Sequence, residues 1–556
     1  MLEAIDWAVI AAYLIFSLSV AFLVRGRAET SRRSYFVADH SLPWWWAGTS
    51  IAATTFAADT PLAISGIVAS HGISGNWLWL SWMAVHAGVV VVFARRWWQT
   101  GVVTDAEFIA VRYGSSPSAS ALRSLRAGLY GVVYNAIILG WVLRAMGKIV
   151  QPISPWSETS TLVGLVAIVT VYAAVGGIRG VILTDLVQFA LGLLGSVWLA
   201  VVAWQHVGGR DGLRAGLEQH YGVEWTRYTA LFPDFSSGWA AALGIGAFTF
   251  GAYLIVQSYA NVPADGGGYL QQRLNTTRSA RDAQKAAGLF FVIQYLVRIW
   301  PWLVVALAAL VIYPISAGVD APTGMPFAGM VAGDREMAYP ALMFSLLPAG
   351  VLGLLVVSLL AAFMSTIDTH FNWGASYVVS DVLLRAYPSA TARTQVRIAR
   401  AAVVAFAVLA VVVALQIETI EQAWRWVAAL GAALGVPTIL RWFWWRMNPE
   451  AEICAAIAGL GTAAILRTTG ALSYELQLIA ISVASVAGVA VGVHGGRRVD
   501  AGVLAGFVRK VSPLGVWPDR TRRTALGELC RAASIVGLIV GGATILLWTV
   551  KTLLFA

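Results

Sequence analysis

Apolar runs of membrane length recur from one end of the chain to the other, separated by polar stretches rich in Lys and Arg. About fourteen of them reach the roughly twenty residues a helix needs to cross a hydrocarbon core ~30 Å thick. The first half of the series covers residues 5–24, 44–70, 76–93, 127–149, 161–175, 181–204 and 239–271. The second half covers 289–312, 350–385, 401–415, 423–443, 453–466, 476–493 and 533–550. Arg179 is read as lying in a short loop between the fifth and sixth runs. Basic clusters fall in alternate loops, at 25–33, 95–126, 273–285, 393–400 and 497–523. Loops that keep Lys and Arg stay on the cytoplasmic side, so the alternation predicts both termini outside, in a plasma membrane of the bacterial inner-membrane kind.

Composition agrees with this reading and excludes others. Of 556 residues, 58% are hydrophobic and only 12% charged, whereas a soluble chain of this length would form several domains with charged surfaces. The expected fold class is an all-α polytopic membrane protein with about fourteen transmembrane helices. The net charge of +10 sits in the loops facing the lipid bilayer's inner side and is no nucleic-acid signal. Cys454 and Cys530 lie in or beside apolar runs, so no disulfide framework is expected. The first run lacks a basic leader and a small-residue cleavage site and reads as a retained span. No nucleophile–base pair or metal-ligand cluster stands out, so an enzyme is not expected.

Two runs are interrupted. The second reads WWWAGTSIAATTFAADTPLAISGIVAS, with Asp59-Thr60-Pro61 at its centre. Proline removes a backbone donor and biases its predecessor away from helix, so a break is expected there. The run at 239–271 holds Asn261, Pro263, Asp265 and Gly266-Gly267-Gly268, and glycines at that density weaken a helix. Either feature alone equally suits a plain kink or helix end. Non-helical backbone at membrane depth persists only where it is buried or lines a cavity, and paired breaks in two five-span halves point to a transporter of inverted repeats. The halves are residues 44–204 and 239–446. Residues 1–33 form an extra first helix and loop, and 449–556 are additional C-terminal helices.

The ninth run carries polar groups at a depth where they are expensive: AAFMSTIDTHFNWGASY, residues 361–377. Ala362, Ser365 and Thr366 share one face at i, i+3 and i+4. Hydroxyls and carbonyls suit a hard cation, sodium included, by the logic of oxygen-ligand sites; helix–helix hydrogen bonding accounts for the same residues equally well. Asp368, His370 and Asn372 fall past this face, with packing or inner-gate roles expected.

In its ordered set of motifs the sequence resembles the sodium/solute symporter family of sodium/galactose and sodium/proline carriers. The residues that carry the resemblance are SLPWWWAGTSIAATTFAADT, GGIRGVILTDLVQ, YLQQRL and AAFMST. The resemblance implies a LeuT-type fold with a ten-helix core, alternating access, and a co-transported sodium ion. It implies sodium ligands at the carbonyls of Ala52 and Thr55, the carbonyl of Ala362 and the hydroxyls of Ser365 and Thr366, with Asp185 supplying nearby negative charge or a relay. It also implies substrate-binding residues at Asp59, Asn76 (with Trp79), Asn261 and Arg298, where sugar carriers have a Lys near the last position. Aromatic faces with ordered polar groups suit a sugar or sugar derivative. Arg298 equally suits a carboxylate, a salt bridge to Asp59, or snorkelling. The expected function is sodium-coupled symport of a small organic solute, most simply a sugar. A proton-coupled or amino-acid carrier and a membrane solute sensor are the alternatives.

Overall fold

A backbone in hydrocarbon finds no water to bond, so each crossing segment must satisfy its own N–H and C=O groups. The computed structural model describes residues 2–28, 32–233, 246–260, 263–315, 326–470, 472–519 and 521–555, and its described regular structure is helical, with two isolated β-bridges. The main helices are α1 (Ala4–Ala28), α2 (Trp44–Thr54), α3 (Asp59–His71), α4 (Ile73–Thr100), α5 (Pro117–Ile153) and α6 (Glu158–His206). After these come α7 (Gly246–Tyr259), α8 (Gly268–Leu274), α9 (Ala280–Ile312), α10 (Val351–Ala386) and α11 (Ala392–Ala414). The chain closes with α12 (Ile420–Leu440), α13 (Pro449–Thr469), α14 (Tyr474–Gly495) and α15 (Arg522–Phe555). Polar loops start several of them with side-chain caps: Ser116, Ser157, Ser279, Thr391, Thr419 and Asn448 each accept from a backbone N–H of the first turn.

Among the described residues ten helices are long and apolar enough to cross a membrane, or eleven when the bent pair α2–α3 is one span. The other expected crossings correspond to the shorter apolar helices Ala4–Val20 and Glu158–Val171 and to α7, whose preceding residues lie outside the description. The loop expected around Arg179 is corrected, because the backbone stays helical through Glu158–His206. Forty-nine residues at 1.5 Å each would extend ~74 Å, more than twice the hydrocarbon core; within the stretch Gly180–His206 is apolar and long enough to cross, and Glu158–Val171 is a shorter apolar helix.

Both expected breaks are present. Between α2 and α3 the axis bends by 52°, and Pro61 falls in the first turn of α3, where no N–H is needed. Between α7 and α8, Gly266 and Gly268 have φ of +71° and +62°. A Cβ on Gly266 would also sit 2.7 Å from Val89 and one on Gly268 2.8 Å from Trp373, so these positions admit only glycine.

Among the described residues four spans contain π-helical segments: Val89–Phe93 in α4, Leu129–Tyr134 in α5, Ile293–Val297 in α9 and Val378–Leu383 in α10. α10 forms the centre of the bundle, buried almost throughout from Leu352 to Tyr377, against α6, α11, α1 and α5. α15 is largely exposed and peripheral.

Candidate ion and solute site

The break after α2 creates the first half of the site. The last carbonyls of a helix have no intrahelical donor and carry the negative end of its dipole, and here those carbonyls belong to the residues from Ile51 to Thr54, next to Thr55. α10 brings its hydroxyl face against them. Thr366 Oγ1 donates to the carbonyl of Thr54 at 2.8 Å and of Ala362 at 3.1 Å. Ser365 Oγ donates to Asp185 Oδ1 at 2.5 Å, and Ser50 donates to the other oxygen of the same carboxylate. Ala52, Thr55, Ala362, Ser365, Thr366 and Asp185 thus converge on one corner of the bundle.

Sequence reasoning did not assign four further members of that corner. Arg273 of α8 donates from Nε to Ser50 Oγ at 2.8 Å, bonds the hydroxyl of Thr369, and lies 3.5 Å from Asp185 Oδ2. Thr369 Oγ1 meets Thr54 Oγ1 at 3.0 Å and bonds the carbonyl of Ser365 at 2.7 Å. Ser50, Asp185, Arg273 and Ser365 are at most 1% exposed. A carboxylate so deep is expensive unless paired, and Arg273 is its counter-charge. The signals were available: Ser50 and Thr54 lie one turn apart, Thr369 one turn beyond Ser365, and Arg273 belongs to the motif YLQQRL.

The corner opens onto a cavity of about 100 Å³, reached through Thr54, Thr55 and Thr366. Its walls include Asp59, Trp79, Trp82, Tyr269, Arg298 and Trp424. Asp59 Oδ2 accepts from Trp424 Nε1 at 3.3 Å. Arg298 donates from NH1 to the carbonyl of Ala52 at 3.0 Å and to Thr55 Oγ1 at 3.1 Å, and faces the rings of Phe56 and Trp302 at 5.9 and 5.4 Å. Among the described residues no carboxylate lies within ion-pair distance of it, so neither a salt bridge to Asp59 nor snorkelling describes this side chain, which is 1% exposed.

Asn76 does not line the cavity. Its Nδ2 bonds the carbonyl of Ile73 at 3.1 Å and its Oδ1 accepts from Trp79 Nε1 at 3.0 Å; a buried amide next to an indole N–H satisfies that donor and sets the angle of Trp79, which does line it. Asn261 lies outside the described residues. His370, expected beyond the site, is on the cavity wall, with Nδ1 2.7 Å from Asn135 Oδ1. Asn372 accepts from Gln272 Nε2 at 2.9 Å, and Asp368 is fully buried. Among the described residues there is no group of three or more His, Cys, Asp or Glu able to hold a resident metal.

At one end of the bundle a second buried polar system ties the core to its surroundings. Asp265, in the second break, meets Arg441 at 2.6 Å and accepts from Trp442 Nε1 at 2.7 Å. Asp105 meets Arg126 at 3.3 Å and accepts from Tyr377 of α10. Glu452 of α13 accepts from Tyr113 at 2.6 Å and lies 3.6 Å from Arg126 and 3.8 Å from Arg441.

Comparison with known proteins follows the same lines. Residues 35–459 match the model of the sodium:solute symporter family. A sodium/glucose cotransporter of Vibrio parahaemolyticus is 25% identical over 484 residues, covering 84% of this chain and 86% of that one. Sodium/glucose cotransporter 4 of Danio rerio is 24% identical over 486 residues, covering 83% and 71%. Sodium/myo-inositol cotransporter 2 of Homo sapiens is 24% identical over 479 residues, covering 83% and 69%. Among solved structures, the substrate-bound outward-open state of a Na+-coupled sialic acid symporter superposes with a TM-score of 0.72 at 17% identity, covering 90% of this chain and 99% of that one, which establishes the LeuT-type fold.

Proposed function

The chain belongs to the sodium:solute symporter family, and from that premise we propose how its residues divide the work of sodium-coupled symport. The protein is a multi-pass membrane carrier, not an enzyme, and moves a small solute together with sodium. We assign the solute to the sugar and polyol class, which the names of its relatives support. One observation carries the assignment of roles: the hydroxyl face of α10 meets the broken end of α2 beside a polar, aromatic-walled cavity.

Sodium is held by the carbonyls of Ala52, Thr55 and Ala362 and the hydroxyls of Ser365 and Thr366. Five oxygens replace much of a hard cation's water. Asp185, held by Ser50, Ser365 and Arg273, adds negative charge one shell away. The solute occupies the cavity between Asp59, Trp79, Arg298 and Trp424. Residues 44–204 and 239–446 act as the two inverted repeats, a division supported by the paired breaks and by π segments in the second and third spans of each half. The basic loops face the cytoplasm and both termini face outward, in the plasma membrane.

Uptake into proteoliposomes tests this reading. An inward sodium gradient is expected to drive accumulation of a sugar or inositol, and replacing sodium by choline to abolish it. Ser365→Ala with Thr366→Ala should lower sodium-driven uptake more than about tenfold, the loss of two ligand contacts of roughly 1 kcal/mol each. Uptake that ignores sodium and survives the double substitution would refute the assignment.

A further inference from the structure

At the end of the bundle opposite the ionic one, a single buried carboxylate touches three helices. Glu336 belongs to the segment between α9 and α10 and is 5% exposed. Its Oε2 accepts from Lys148 Nζ of α5 at 2.5 Å, and its Oε1 accepts from the backbone N–H of Ile420, the first residue of α12, at 2.9 Å. Gly66 of α3 packs on its methylene, where a Cβ would sit 3.0 Å from Glu336 Cγ. The segment is itself fixed: Asp334 accepts from the Glu336 N–H at 3.0 Å, and Arg335 donates to the carbonyl of Tyr313 at 2.8 Å. The first N–H groups of a helix have no acceptor within it, and a carboxylate beside them is favoured by the helix dipole. Thr419 supplies an acceptor for Gln422 from the adjoining turn, but that of Ile420 comes from 84 residues away.

What α12 carries one turn further on gives this contact a function. Trp424 Nε1 donates to Asp59 Oδ2, and its ring lies 6.3 Å from that of Trp82; both rings wall the solute cavity. A second, larger cavity of about 880 Å³ is bordered by His71, Leu78, Glu421 and Arg425. The same turn of α12 thus borders both cavities, and the adjacent residues Leu78 and Trp79 of α4 do so as well. The partition on this side is one layer of side chains, with Trp82 and Trp424 facing the solute. Further along, α12 is pinned to the end of α7: a Cβ on Gly431 would fall 1.7 Å from the Ala260 carbonyl oxygen, and one on Gly435 2.6 Å from the Tyr259 ring. Pro437 then removes one hydrogen bond of the helix.

Resting on the symporter reading above, we propose that Glu336 is a positioning residue for the outer gate. With its carboxylate on the Ile420 N–H, α12 keeps Trp424 beside Trp82 and the solute cavity is shut from that side. When the contact parts, the first turns of α12 tilt about residues 431–437 and the two cavities become one. Lys148 holds the carboxylate in place in both states, so the contact reforms.

The test uses the full-length chain carrying Cys454→Ser, Cys530→Ser and Val427→Cys, the last on the wall of the solute cavity, in right-side-out membrane vesicles. Reaction of that thiol with a membrane-impermeant maleimide reads opening toward the outside and needs neither sodium nor solute. Glu336→Ala is expected to speed labelling about tenfold, the worth of one charge-assisted hydrogen bond. Glu336→Gln, whose amide oxygen still accepts from Ile420, should speed it less. Asp334→Asn, which leaves that acceptor in place, should keep the parent rate. In sodium-driven uptake of glucose or myo-inositol, with the native residues at 427, 454 and 530, Glu336→Ala should lower KM and Vmax together. A gate biased open binds from outside more readily and closes less often, whereas damage to the fold lowers Vmax alone.

An unchanged labelling rate in Glu336→Ala, or in Glu336→Gln should the first variant not fold, would overturn the inference. So would a Vmax that falls at constant KM, or labelling sped as much by Asp334→Asn as by Glu336→Ala. Absence of sodium-driven uptake of either solute by the parent would refute the sugar and polyol reading and leave the labelling rates to decide this one.

Discussion

Two of the regions in which this bundle buries arginines offer contrasting settings. At the ionic end, Arg126 and Arg441 each lie against carboxylates of other segments, Asp105, Asp265 and Glu452. In the mid-bundle cavity, Arg298 has carbonyl, hydroxyl and ring contacts but no acid. The paired arginines join α5, the second break, the segment after α12 and α13 into one closed wall. Such a wall stays shut until several ion pairs part together. Arg112, at the ionic end, is likewise held by carbonyls and rings alone; Arg298 differs from it in bordering a cavity. The corner around Asp185 lies between these extremes: its Arg273 pair is present but stretched to 3.5 Å, with hydroxyls filling the gap.

The largest effect on this contrast is expected from Asp265→Asn. It removes the 2.6 Å partner of Arg441 and leaves a buried charge poorly compensated, a loss of roughly 3–5 kcal/mol. Thermal unfolding should begin well below that of the parent; an unchanged midpoint would mean that the ionic end does not hold the bundle. Asp185→Asn should be milder for the fold, because its contact with Arg273 is the longer one, 3.5 Å, and Ser50 and Thr369 still bond the guanidinium. It should instead raise the sodium concentration needed for half-maximal uptake by about tenfold or more, the equivalent of ~1.4 kcal/mol. A variant that unfolds like Asp265→Asn yet keeps its sodium dependence would place Asp185 with the structural pairs. The smallest effect is expected from Asn76→Ala, which touches the solute only through Trp79. Solute affinity should fall a few-fold with sodium affinity unchanged, one neutral hydrogen bond contributing about 1 kcal/mol.

Much of this architecture was legible in the sequence because it follows from elementary constraints. Apolar runs of span length had to become helices, and Asp59-Thr60-Pro61 and the glycine run 266–268 had to interrupt them. The spacing of Ala362, Ser365 and Thr366 placed them on one face without reference to any relative. What escaped was pairing across the bundle. Arg273 read as the start of a basic cytoplasmic loop; it is instead buried in α8, and nothing local shows that it turns inward to Asp185. Asn76 read as a ligand from the family resemblance alone, and nothing local showed that its amide oxygen takes the indole N–H three residues on. Residues 176–180 read as a loop around Arg179, but the helix continues through them, since glycines weaken a helix without necessarily ending it.

The π segments have a consequence for helical phase. A π turn contains one more residue than the α turn it replaces, and each residue of an α-helix advances the direction of its side chain by about 100°. The stripe of residues beyond such a turn is therefore rotated by more than a quarter of a circle from where counting in 3.6 would put it. In α10 the turn at Val378–Leu383 comes after the hydroxyl face, and Asp381 within it is aimed at Thr104 and Arg123, at 2.8 and 2.7 Å. Deleting one residue there would restore α phase and swing the remainder of the helix away from those partners, while leaving residues 362–369 in place.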